Sequence, residues 1–66
     1  MDLILVARLH NANAAISQIA AGMSISVPRA RQAVEQLGLP IPHKGPRSRE
    51  TIETIAALIE ERRAAA

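Results

Sequence analysis

Arg31, Gln32 and Glu35 fall within a little more than one helical turn, and each offers a different hydrogen-bonding pattern. An arginine presents a planar fork of donors, a glutamine amide sets a donor beside an acceptor, and a carboxylate only accepts. Those patterns match, in order, the guanine, adenine and cytosine edges in the major groove of double-stranded DNA. Val27, one turn earlier, suits a thymine methyl, and Pro28 shares its side of the helix. Ser17, Ser26 and Arg29 stand where helices are expected to begin, a placement that suits phosphate oxygens and fixes register without reading sequence. Lys44, Arg47 and Arg49, beyond this stretch, are further candidate contacts to DNA phosphates.

Other chemistries lack their residues. His10 and His43 are the only histidines and no cysteine accompanies them, so a metal site has too few ligands. The acids gather in the final helical stretch, no Ser, His and Asp arrangement is suggested by spacing, and no glycine-rich phosphate loop exists. A non-enzymatic protein without cofactor or small-molecule effector is the expectation. The apolar run from Leu3 to Ala7 follows Asp2 rather than basic residues and is far shorter than a ~20-residue membrane span, so neither membrane insertion nor export is expected. Absence of cysteine fits the cytoplasm.

Positioning the polar set requires helices. With 66 residues, 48% hydrophobic, no aromatic side chain and thirteen alanines, the core must be aliphatic and small in volume, which favours closely packed helices and an all-α fold. A first helix is predicted from Asp2 to Ala12, with Asp2 as its cap and Leu5, Val6 and Leu9 inward. Leu3 and Ile4 leave a strand open as the alternative, of the kind that ribbon-helix-helix proteins pair across a dimer. Asn13 is the candidate cap of a second helix whose buried stripe is Ile16, Ile19, Ala20 and Met23, weakened near its end by Gly22. Ser26 caps a third, with Pro28 in its first turn and Ala30, Ala33, Val34 and Leu37 inward, stopped by Gly38, Leu39 and Pro40. That inward set turns Pro28, Arg31, Gln32 and Glu35 outward.

Three parts follow: a three-helix unit over residues 1–38, a proline-rich basic arm over 39–48, and a helix over 49–63 capped by Ser48. The arm can lie along the DNA backbone, enter the minor groove or serve as a plain linker. In the last helix Ile52, Ile55, Ala56 and Ile59 form a stripe, widened by Leu58, that either makes a homodimer or packs on the first helix. The formal charge of +2 conceals a sorted distribution: residues 29–49 carry a net +4, and residues 50–66 a net −2. A basic middle beside an acidic end suits one surface that meets a polyanion while another stays solvated.

The stretch Ile19-Ala20, Met23-Ser24-Ile25-Ser26, Pro28-Arg29-Ala30-Arg31, Ala33-Val34 and Leu37-Gly38-Leu39 resembles the helix-turn-helix of bacterial regulators of the Lac-repressor and gluconate-repressor type. The likeness spans about a third of the chain. It departs at Ser24, where those families usually carry the turn glycine, and at Ala30, where they usually bury a valine or isoleucine. What the resemblance implies is a small transcriptional repressor or autoregulator of a bacterial, phage or plasmid system. Such a protein acts as a symmetric dimer on repeated or palindromic half-sites and is regulated by its own concentration. Two alternatives use the same sequence differently: a plasmid segregation protein on an array of direct repeats, and a protein-interaction module such as an antitoxin.

Overall fold

The computed structural model describes residues 2–43 and 45–65. It contains α1 (Leu3–Asn11), α2 (Ile16–Met23), α3 (Val27–Gln36) and α4 (Arg49–Ala65), with no strand among the described residues. The all-α expectation holds. α1 begins where the Leu5 amide donates to the Asp2 carboxylate at 3.1 Å, so Leu3 and Ile4 lie in a helical first turn and the strand alternative fails. None of these helices is long and apolar enough to cross a membrane.

The first three helices end in the same way. Each runs into one residue with positive φ: Asn13 at 68°, Ser24 at 58° and Gly38 at 73°. The following amide then reaches back to a carbonyl five residues earlier, from Ala14 to Leu9, Ile25 to Ala20 and Leu39 to Val34, at 3.0, 3.0 and 3.1 Å. This is the Schellman closure, which satisfies carbonyls left open at a helix end and turns the chain sharply. Asn13 therefore belongs to the end of α1 and does not cap α2. That cap position falls to Ala15, whose amide donates to the Gln18 side chain at 2.8 Å. Asparagine tolerates the left-handed region better than most residues, so the same side chain that suits a cap also suits a turn.

The core collects the predicted stripes apart from Leu37, which lies at the C-cap of α3 and is half-buried against it. Leu5, Val6 and Leu9 from α1, Ile16, Ile19, Ala20 and Met23 from α2, and Ala30, Ala33 and Val34 from α3 are all buried, joined by Ala14 and Ile55. Burying each larger aliphatic side chain contributes about 1.5–3 kcal/mol. α1 and α2 each touch α3 and α4, while α3 and α4 do not touch each other. The α1–α2 pair thus separates the two outer helices.

α4 corrects the expected stripe. Ile55 is buried in the core, and Leu58 and Ile59 are half-buried against it, whereas Ile52 is 49% exposed and Ala56 is exposed. A Cβ placed on Gly22 would lie 2.8 Å from Ile59 Cδ1, so the missing side chain of α2 is what lets α4 approach. Periodicity shows that one side of a helix is apolar; it does not say whether the helix's own chain covers it. Here the chain does so for Ile55 and Ile59.

Candidate nucleic-acid interface

Ser26 starts α3 with extended backbone and accepts from the Arg29 amide at a long 3.4 Å, while Pro28, in the first turn, gives up no intrahelical bond. Because Ala30, Ala33 and Val34 face the core, the rest of the helix faces out. Val27, Pro28, Arg29, Arg31, Gln32, Glu35 and Gln36 are all exposed. The side chains predicted to meet base edges therefore share one uncovered face of a single helix. Among the described residues, ion pairs join Arg8 to Glu61, Arg49 to Glu53 and Arg63 to Glu60, and none involves Arg29 or Arg31. Both guanidinium groups thus face solvent without an ionic partner among the described residues.

Two depressions border α3. One, of about 210 Å³, is lined by Ser17 at the start of α2, by Val27 and Arg31, and by Ile41, Pro42 and His43 of the arm. It brings one predicted phosphate contact, Ser17, beside two predicted base contacts. On the other edge Arg29, Gln32 and Gln36 meet Leu3 of α1.

The arm is held, not loose. His10 Nε2 donates to the Pro40 carbonyl at 2.8 Å. Arg47 donates from Nε to the Asn13 carbonyl at 2.6 Å, from one terminal nitrogen to the Gly45 carbonyl at 2.9 Å, and from the other to the His43 carbonyl at 2.8 Å. The sequence assigns Arg47 to DNA phosphates; the structure turns its guanidinium onto three carbonyls of its own chain, where it closes the arm over the α1–α2 turn. Charged donors make stronger bonds than neutral ones, and this fork is well matched to several acceptors at once. Arg49 faces solvent and pairs with Glu53 at 3.4 Å across one helical turn, an exposed contact of little energetic weight. Lys44 lies outside the described residues.

The chain matches no protein-family model, no curated protein and no solved structure. Several residues of the site escape sequence inspection. Ile41, Pro42 and His43 line a depression with Val27 and Arg31 because the arm folds back, and the signal for them is an isoleucine between two prolines, an extended apolar side chain that stays partly exposed there. Gln18 and His10 act through bonds to backbone, for which a polar residue at a helix edge gives no distinctive pattern.

Proposed function

We propose that this chain binds double-stranded DNA in a sequence-specific way, with α2 and α3 as a helix-turn-helix and α3 in the major groove. The observation that carries the reading is the uncovered face of α3. Arg31, Gln32 and Glu35 stand exposed beside Val27, and neither Arg29 nor Arg31 has an ionic partner within the described chain. The three-residue turn Ser24-Ile25-Ser26 between two short helices supports it, as does the depression that Ser17 and Arg31 line together. A small repressor or autoregulator is the biological role this chemistry fits.

A mobility-shift titration at two salt concentrations, using DNA from upstream of the protein's own gene and a scrambled duplex, tests the proposal. Specific binding that weakens steeply as salt rises is the expected result. Equal affinity for both duplexes, or none for either, would sink it. A protein-interaction module would instead bind its partner with little response to salt.

A further inference from the structure

The side of the molecule away from α3 carries its own pattern. Ile4 is the most exposed large apolar residue among the described residues, at 75%, although it sits in the first full turn of a capped helix. It borders a groove of about 140 Å³ between α1 and α4, floored by Leu5 and Leu58 and rimmed by Asp2, Arg8, Glu61 and Arg62. The groove is well below the ~300–1,000 Å³ of small-molecule sites, and it takes a protruding aliphatic side chain more readily than a ligand.

We propose that two copies of this chain pair through the α1–α4 face, each inserting Ile4 toward the other's groove. Charge selects the occupant. The rim holds two acids and two bases, so it is neutral as a whole and repels neither itself nor its copy, whereas a polyanion gains nothing there. Arg8 and Glu61 already pair across the groove at 3.3 Å, while Asp2 and Arg62 form no ion pair within the described chain. On this proposal Arg62 of each copy faces Asp2 of the other, whose Oδ1 already accepts from the Leu5 amide. Knob, groove and both signs of charge on one patch meet the requirement of an isologous interface, in which the same surface serves both partners. A chain of this size with an aliphatic core also gains disproportionately from covering more surface. α4 does not touch α3, and the α1 residues that line the groove do not include Leu3, the one that borders α3 beside Arg29 and Gln32.

Sedimentation equilibrium of the DNA-free protein, from low to high micromolar, reads the association directly. The wild-type chain is expected to approach the mass of two chains. Ile4→Glu should raise the dissociation constant by about tenfold or more, with unchanged far-ultraviolet circular dichroism, since an exposed side chain contributes little to the fold. Ile52→Glu, exposed on α4 but outside the groove, should leave association as it is. Arg62→Glu gives a second reading on the rim and should weaken pairing, less so at high salt. A wild-type chain that stays monomeric throughout, or a dimer broken by Ile52→Glu and indifferent to Ile4→Glu and Arg62→Glu, would overturn the proposal.

Discussion

Ser24 holds a φ of 58°, a left-handed conformation that a residue with a Cβ adopts at a cost of roughly 1–2 kcal/mol. Nothing in its side chain offsets that cost, because the hydroxyl makes no hydrogen bond within the described chain, and the position is exposed. Ser24→Gly is therefore expected to stabilise the protein by about 0.5–1 kcal/mol, the strain relieved being partly returned as extra freedom of the unfolded chain. Urea unfolding checks this through a higher midpoint at unchanged slope. The sequence already marks this residue as an irregularity, standing where the turns it resembles carry glycine, and the structure supplies the backbone angle that makes the irregularity costly. Arg31 is the corresponding test of the polar face. Replacing it with Ala should relax selection at one base position at a cost of about 1–3 kcal/mol in specific binding, read by selecting duplexes from a random pool. A uniform loss over all sequences would move Arg31 from base edges to the phosphate backbone.

Elements meet where small residues permit it. The inward stripes of α1, α2 and α3 were legible from apolar residues at helical spacing, and Asp2, Ser26, Pro28 and Gly38 marked the bounds of α1 and α3, whereas Asn13, which the sequence assigns to the cap of α2, ends α1. The placement of α4 was not legible. Gly22 reads locally as a weak spot in α2, and only the docked position of Ile59 reveals that its missing side chain makes room for a neighbouring helix. Filling that space tests the docking. Gly22→Val should push α4 outward or force Ile59 into a poor rotamer, costing about 1–3 kcal/mol of stability as overpacked cores do. Thermal unfolding followed by circular dichroism is the check. If α4 were merely tethered, the substitution would instead be neutral or even helpful, since almost any residue improves on glycine within a helix.

At the scale of the whole molecule, the cations of the basic middle divide by what they face, and this division predicts how binding responds to salt. Charge counting along the chain treats Arg29, Arg31, Arg47 and Arg49 alike, because sequence position says nothing about where a long side chain ends. In the structure Arg29 and Arg31 face outward without ionic partners, while Arg47 is directed at the carbonyls of Asn13, His43 and Gly45. The logarithm of affinity falls with the logarithm of salt by about 0.9 for each phosphate neutralised. Arg29→Ala should therefore flatten that slope by about 0.9 per bound copy and weaken all duplexes alike. Arg47→Gln should behave differently: the slope stays nearly unchanged, while affinity drops because the arm no longer holds Ile41, Pro42 and His43 beside Val27 and Arg31. Its thermal stability should also fall, since an amide cannot reproduce three donor contacts to separate carbonyls. The two variants measured on one duplex across a salt series distinguish a contact from a brace. Were Arg47→Gln to flatten the slope as much as Arg29→Ala does, the carbonyl cage would have to open on binding and release its guanidinium to the phosphates.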